Sequence, residues 1–488
     1  MKATLDSVAL SDYHDYRKLL FVICDGIVTG SGQALPTSEI TVNLINEFSG
    51  LNPEPKQYIA IGKGSKQQNM AKVHAGMYTP TAGRSVPIIV VVKVGTEDEK
   101  SAKKPGNRGK RDSQMILINF LSKVLFDDAM TPLEHDLYRK ITILAGVTPD
   151  LYELVMTVDA DTKVKADAMR YLVQAMKNDS SIMGCCGETK VANTFDTWVS
   201  AIQVYEYYIS HLLGKSFESL FGCVTCLPGC FSMYRIKAPL ASGRWVPIIT
   251  SPEIVDEYSE NEVHTLHTKN LLLLGEDRFL TTLLLRVFPK RKTMYIPQSI
   301  CETNVPDSFW VLLSQRRRWI NSTIHNLFEL VLVKELCGVF CFSMQFTIFM
   351  DLVGTFSSPA MMCFSVYLLI TAIINPSPSL VSIVLMALMM FLPAVLIVIG
   401  DLRRIHYVFY MFLYLLSSWV FNLFDDFSWG ETRRVAGGGG GGHDEGGVVK
   451  SNALEEGSGA SLVPLKRYVD WELEIAGSGT KTAPMPSC

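Results

Sequence analysis

Net charge of either sign is almost absent from this chain. Its 488 residues carry 45 Lys plus Arg against 48 Asp plus Glu, a formal charge of −3. No global field therefore draws it to nucleic acid or to an anionic surface. Zinc-type paired cysteines are missing too. Eleven cysteines are scattered through the chain, and Cys223-Val-Thr-Cys226 has no second pair to complete it. That spacing argues against a structural zinc site and points to a reducing, cytosolic setting for the catalytic half. No secretory leader is visible. Met1-Lys2-Ala3-Thr4-Leu5 enters a helix directly, as expected of a fragment. Runs long enough to span a bilayer are missing before residue 335 and abundant after it, which accounts for a mean hydropathy of +0.20 with 48% hydrophobic residues.

What is present reads first as an alternation of strands and helices. Residues 1–15 form an expected helix. Lys18 to Cys24 is a mostly apolar run that stops at Asp25-Gly26, the pattern of a buried strand ending in a polar turn, where open α/β sheets bind ligands. Tyr58 to Ile61 and Val86 to Val94 are further strands. Lys100 to Arg111 is a basic loop, and Met115 to Leu125 is apolar at helical spacing. Leu151 to Val158 is another buried strand, ending at Asp159-Ala160-Asp161-Thr162, with a helix over Asp167 to Met176. The alternation predicts an α/β domain with a largely parallel sheet. Thr197 to Leu213 is an aromatic-rich helix, either of the core or lying beneath a membrane.

From residue 336 the character changes. Leu336–Phe356, Ala360–Ile374, Leu380–Gly400 and Ile405–Phe424 are each mainly apolar, and spanning takes about 20 residues. Three are long enough, and the second is marginal. Four crossings return the C-terminus to the catalytic side, and three do not. Asp351, inside the first segment, is either a site carboxylate or a group hydrogen-bonded to a neighbouring helix. Gly437–Gly442 opens a tail of Gly, Ser, Glu and Pro that is expected to be disordered. Within it, Val463 to Ile475 has the pattern of a short amphipathic segment.

Four elements carry candidate chemistry. Asp159-x-Asp161 at a strand end suits a divalent cation held against a diphosphate, since Mg2+ and Mn2+ prefer oxygen ligands. Asp277 in Glu276-Asp277-Arg278 has the chemistry of a general base, or of a salt-bridged acid at a helix start. Lys110-Arg111-Asp112 is a donor-binding loop or a solvated charge run. Gln315-Arg316-Arg317-Arg318-Trp319 joins forked cationic donors to an indole face, suited to a pyrophosphate beside a sugar. On a helix, Gln315, Arg318, Trp319 and Ser322 share one face. The alternative is a basic juxtamembrane anchor with an interfacial Trp.

Asp25, Asp161, Asp277 and Gln-Arg-Arg-Arg-Trp occur in the order of the processive family 2 glycosyltransferases. More narrowly, Gly-Lys-Arg-Asp-Ser-Gln (109–114), Val-Asp-Ala-Asp-Thr (158–162), Cys-Leu-Pro-Gly-Cys-Phe (226–231), Gly-Glu-Asp-Arg (275–278), Gln-Arg-Arg-Arg-Trp (315–319) and Ser-Trp-Gly-Glu-Thr-Arg (428–433) resemble the fungal chitin synthases of the branch that includes classes IV and V. The resemblance covers roughly residues 1–435. It implies an α/β GT-A glycosyltransferase domain (1–300, first strand missing), interfacial helices (301–335), a C-terminal transmembrane helical bundle (336–424), the Ser-Trp-Gly-Glu-Thr-Arg segment (425–435) and the tail (436–488).

The implied reaction is inverting transfer of GlcNAc from UDP-GlcNAc to the 4-hydroxyl of a growing β-1,4 chain, with export through the membrane. Asp25 matches a uridine contact and Lys110 a donor-loop lysine. Asp159 and Asp161 match the metal-binding pair, with Asp161 the direct ligand, and Asp277 matches the general base. Gln315 and Arg318 match pyrophosphate contacts, Trp319 the acceptor platform, and Gly229 and Cys230 the turn beneath the chain end. Arg316 and Arg317 carry no assignment. The resemblance also implies a multi-pass protein of the plasma membrane or secretory vesicles, bound to lipid, with a homo-oligomer admitted and no nucleic-acid partner. Val420 to Phe427 is shorter than its family counterpart, and the chain starts after the family's first strand. Alternatives are another processive β-1,4 polysaccharide synthase, or an inactive truncated membrane paralogue.

Overall fold

The computed structural model describes residues 1–30, 32–240, 242–333, 336, 344–374, 380–400, 404–423 and 463–477. Two five-stranded sheets form its frame. The first holds β1 (Leu20–Cys24), β2 (Asn46–Glu47), β3 (Pro55–Ile59), β4 (Gln68–Thr81) and β5 (Arg84–Lys93), in the order β1-β5-β4-β2 with β3 also paired to β4. The second holds β6 (Leu154–Val158), β7 (Lys163–Val164), β8 (Ile182–Val191), β9 (Phe231–Arg235) and a late strand, β12 (Lys292–Thr303), in the order β6-β9-β8-β12-β7. A small antiparallel pair, β10 (Lys237–Pro239) and β11 (Trp245–Pro247), stands apart.

Neither sheet is largely parallel, contrary to the sequence expectation. Only β1/β5 and β8/β12 run parallel, and every other pairing is antiparallel. An apolar run reports burial, not direction, and β9 lies antiparallel between β6 and β8. The expected strand 58–61 is shifted too. It ends at Ile59, and the Ile61 amide instead donates to Asp112 at 2.7 Å.

Helices cover both faces of each sheet. α1 (Lys2–Ala9) and α2 (Thr37–Val42) lie against the outer face of the first sheet, with Leu5, Ala9, Val86, Ile88 and Val90 buried together. α3 (Lys110–Phe126) and α4 (Pro132–Ala145) cover its other face. α5 (Ala168–Asn178) closes one side of the second sheet through Leu172 and Met176. On its other side lie α6 (Trp198–Tyr207), α7 (Lys215–Leu220), α8 (Pro252–Ser259), α9 (Leu266–Leu274), α10 (Glu276–Val287) and α11 (Phe309–Leu332), with a π-helical turn over Tyr208–Gly214. The expected helix 1–15 stops at Ala9. Lys18 Nζ takes the Ala9 carbonyl at 2.9 Å, and the Arg84 guanidinium takes those of Leu10 and Ser11. Carbonyls so engaged have no need of amides one turn further on.

The C-terminal helices are α12 (Met344–Ile374), α13 (Leu380–Gly400) and α14 (His406–Leu423). The apolar segments expected as two spans, Leu336–Phe356 and Ala360–Ile374, fall largely on the single helix α12. Among the described residues, no helix is long and apolar enough to cross a membrane. The Ser-Trp-Gly-Glu-Thr-Arg segment lies outside the described residues.

The tail expected to be disordered contains an ordered piece, α15 (Tyr468–Gly477). Lys466 pairs with Met130 through two backbone hydrogen bonds of 2.7 and 3.1 Å. Trp471 Nε1 donates to the Met130 carbonyl, and Tyr468 packs on Tyr138 with ring centroids 4.3 Å apart. Two aromatics, Tyr468 and Trp471, and the hydrogen bonds of Lys466 and Trp471 gain enough contact for docking, although the segment has no core of its own.

Candidate active site

The site is assembled where several strand ends and helix starts meet. β1 ends just before Asp25, whose carboxylate receives three donors from one loop and one lysine. Arg108 N reaches Oδ1 and Gly109 N reaches Oδ2, each at 3.0 Å, and Lys93 Nζ reaches Oδ1 at 2.9 Å. Asn107 Nδ2 takes the Asp25 carbonyl. The Lys93 side chain is fully enclosed, yet paired twice, since Asp112 lies 2.6 Å away on the other side. Asp112 in turn accepts from Tyr58 and the Ile61 amide. A buried cation with two carboxylates avoids the cost of an unpaired buried charge. Asp25 thus secures the basic loop, a role that sequence reasoning did not assign to it.

That loop delivers Lys110, the first residue of α3. Its ammonium lies 2.9 Å from Asp159, 3.8 Å from Asp277 and 3.8 Å from Glu276. Burial works against its charge, but Asp277, Asp159 and Glu276 outweigh burial and raise its pKa well above the usual lysine value. The donor-loop lysine, the Asp-x-Asp and the expected base therefore form one cluster. Glu276 belongs to it as well.

Asp159 sits in the turn after β6, closed by Thr162 N donating to the Asp159 carbonyl at 3.0 Å. The Asp159 amide donates to Cys230 O at 3.3 Å, which ties this turn to the Leu-Pro-Gly-Cys turn before β9. Asp161, half-buried, lies in the same turn. Among the described residues no group of three or more His, Cys, Asp or Glu is placed to hold a metal ion. Two carboxylates are nevertheless a normal protein share for Mg2+, which takes the rest from substrate phosphates and water. One of the two already answers a cation, the Lys110 ammonium.

Asp277 lies in the first turn of α10 with Oδ1 enclosed and no hydrogen-bond partner. Burial pushes its carboxyl up to about 6. Lys110 pulls the other way, and Glu276 and Asp159 add to the rise. Gly229 lies directly against it: a Cβ there would meet Asp277 Oδ1 at 2.2 Å. Leu227 N donates to Thr281 Oγ1, which donates to the Asp277 carbonyl, so the Leu-Pro-Gly-Cys turn is laced to α10. Cys230 Sγ rests 3.7 Å from Thr189.

The Gln-Arg-Arg-Arg-Trp run is helical, within α11, as its spacing requires. α11 reaches the base through glycine as well. A Cβ on Gly275 would fall 1.8 Å from Ser322 Oγ, so this face of α11 is pressed onto the turn that starts α10. Gln315 Oε1 and Arg318 Nε are enclosed and lack a hydrogen-bond partner. Enclosed groups without partners are where a polar ligand repays the desolvation. Arg316 is spoken for: its Nη2 lies 2.6 Å from Glu206 Oε2, and its guanidinium sits 4.2 Å over the Trp319 ring. Tyr207 marks how close these parts are. Burial raises its phenol pKa, Arg316 opposes that, and Cys230, Glu206 and Asp161 add to it. Asp351 on α12 is within electrostatic reach of Arg278. Glu206, Tyr207 and Lys93 were not legible as site residues, because none stands in a motif that carries chemistry by itself, whereas Ser322 was legible only as sharing the helical face of Gln315, Arg318 and Trp319.

Comparison with known proteins identifies the family. Residues 1–474 match the family described as Chitin synthase, so the match extends into α15. The chain is 54% identical to Chitin synthase 4 of Pyricularia oryzae over 97% of its own length and 39% of that protein's. It is 51% identical to Chitin synthase 3 of Candida albicans and 50% identical to Chitin synthase C of Emericella nidulans, in each case over 97% of this chain and 40% of the relative. The chain thus spans about two fifths of the length of the curated relatives it matches. A match over nearly the whole chain, joined to one carboxylate, lysine and arginine–tryptophan site, places this protein in the chitin synthase family.

Proposed function

We propose that this chain carries out inverting transfer of GlcNAc from UDP-GlcNAc to the terminal 4-hydroxyl of a β-1,4-GlcNAc polymer. The observation that carries this reading is the convergence of Lys110, Asp159 and Asp277 within 4 Å of one ammonium, with Gly229 backing the base. Asp277 takes the acceptor hydroxyl proton on Oδ1, the oxygen left without a partner. Gln315 and Arg318 bind the pyrophosphate. Trp319 stacks on the acceptor sugar, and the turn with Gly229 and Cys230 supports the chain end. Attack from the face opposite the leaving group needs no covalent enzyme intermediate. A divalent cation, Mg2+ or Mn2+, held by Asp161 and Asp159 supplies positive charge to the departing diphosphate when bound. Asp25 keeps the donor loop in place and contacts the uridine.

The same reading places α12 to α14 in a lipid bilayer, at the plasma membrane or in secretory vesicles, with the catalytic domain cytosolic. Phe349, Phe356, Phe364, Val384, Leu388 and Ile399 are all more than 45% exposed on these helices, a belt that water does not favour.

The test is membrane-reconstituted full chain given UDP-GlcNAc with Mg2+ or Mn2+. Chitinase-sensitive polymer with release of UDP is expected. Polymer from UDP-glucose instead would identify another β-1,4 synthase, and UDP binding without transfer to any acceptor would identify a non-catalytic paralogue.

A further inference from the structure

One indole face of Trp319 is already covered. The Arg316 guanidinium lies 4.2 Å from the ring centroid, so a sugar has only the opposite face to stack on. Arg316 does not hold that position alone. Its Nη2 is bound at 2.6 Å by Glu206 Oε2, and Nη1 is enclosed without a hydrogen-bond partner. Glu206 stands one residue before the end of α6, immediately ahead of the π-helical turn Tyr208–Gly214. π-Turns within helices recur at functional sites. α6 is itself anchored at its start, where Thr197 and Ser200 form a reciprocal cap, and Gln203 Nε2 holds the carbonyls of Val199 and Pro306. The carboxylate is thus presented from a rigid element to a guanidinium on a different one. Burial raises the pKa of Glu206, and Arg316 opposes the rise.

We infer that Glu206 is a positioning residue for the acceptor: through the Glu206–Arg316 pair it sets the plane and the open face of Trp319 against which the terminal β-linked GlcNAc stacks. This rests on the proposed transferase reading for the identity of the sugar. The bland alternative is an ion pair that merely joins α6 to α11. The two differ in what they move. A joining pair changes stability and perturbs donor and acceptor sites together, whereas a positioning pair changes acceptor binding selectively.

The experiment measures calorimetric binding of UDP and of chitotetraose to the full reconstituted chain, with thermal unfolding as the fold control. For Glu206→Gln, which keeps shape and removes charge, chitotetraose affinity is expected to fall about tenfold, roughly one decade in Kd, with UDP affinity unchanged. Glu206→Asp should recover part of the loss. Combining Glu206→Gln with Arg316→Gln should add nothing further, because residues acting as one pair are non-additive. Equal weakening of both ligands, unaltered chitotetraose binding, or an additive double variant would overturn the inference. If Glu206→Gln does not fold, Arg316→Lys serves instead. It keeps the charge but not the flat stack, so the same selective loss is expected, and unaltered binding overturns the inference. Because binding is read without turnover, a chain that binds both ligands but transfers no sugar would fail the transferase reading alone. A wild-type chain that binds no chitotetraose would fail both.

Discussion

At the scale of single residues, the site is a problem of keeping carboxylates usable. Asp159, Glu276 and Asp277 crowd one lysine, and burial raises the pKa of the Asp277 carboxyl to about 6. Such a base works only when deprotonated, so polymer synthesis should fall as pH drops through about 6, tending to tenfold per unit below it. A rate profile with its acid limb near pH 4 would assign the proton to another group. Asp277→Asn should abolish polymer and leave UDP binding nearly intact, as equilibrium titration with UDP would reveal. Lys110 lowers the Asp277 pKa, so Lys110→Gln should move the acid limb upward while also weakening the donor. The position of the limb, not the height of the plateau, reports that effect.

At the scale of elements, two glycines allow three pieces of backbone to meet. Gly229 lets the Leu-Pro-Gly-Cys turn touch Asp277, and Gly275 lets α10 begin under Ser322 of α11. Adding one methyl at residue 275 forces α11 away, a local overpacking of about 1–3 kcal/mol. Because Gln315, Arg318 and Trp319 ride on the same face as Ser322, Gly275→Ala should lower turnover by about a hundredfold, the loss expected from misplacing groups by about 1 Å. Gly275→Ala combined with Ser322→Gly removes the colliding side chain and should recover much of that loss. An inactive Gly275→Ala chain that the second change does not rescue would locate the defect elsewhere. These contacts were invisible beforehand: Gly275 and Ser322 are 47 positions apart, and nothing in either neighbourhood names the other.

At the scale of the whole molecule, α15 sets a constraint on topology. It is docked on α4 and the residues before it: His135 Nε2 lies 2.9 Å from Glu472, and Trp471 Nε1 donates to Met130. Burial lowers the His135 pKa, with Glu472 opposing. Under the proposed membrane placement, a segment in contact with the catalytic domain lies on its side of the bilayer. The stretch 424–462 is rich in Gly and charge and has no run near the ~20 apolar residues of a span. Crossings between α11 and α15 are then even in number. An epitope placed after Gly477 in sealed inside-out vesicles should be cut by external protease together with the catalytic domain. Protection of the epitope while the domain is digested would refute the docking.

How much was legible depended on whether a signal is local. The strand ends at Cys24 and Val158, the helix over Met115 to Leu125 and the α11 helical face all rest on residues a few positions apart, so periodicity and turn chemistry sufficed. β4 and β8 left weaker traces. β4 carries Gln68, Lys72 and His74 on its less buried side and Asn69 among its buried residues, and β8 interrupts its apolar run with Gly184 and Gly187, which depresses any strand pattern. The same division holds for the chemistry. The sequence alone determined which residue types were available, namely an Asp pair at a strand end, an acid before a helix and a cationic run ending in tryptophan, because those are properties of short segments. Only the tertiary structure decided how they are shared. It gave Lys110 to three carboxylates, Arg316 to Glu206 and the tail to α4. Such pairings depend on which distant charges and rings the packed backbones bring within a few ångströms, and the energy of each changes steeply over that range.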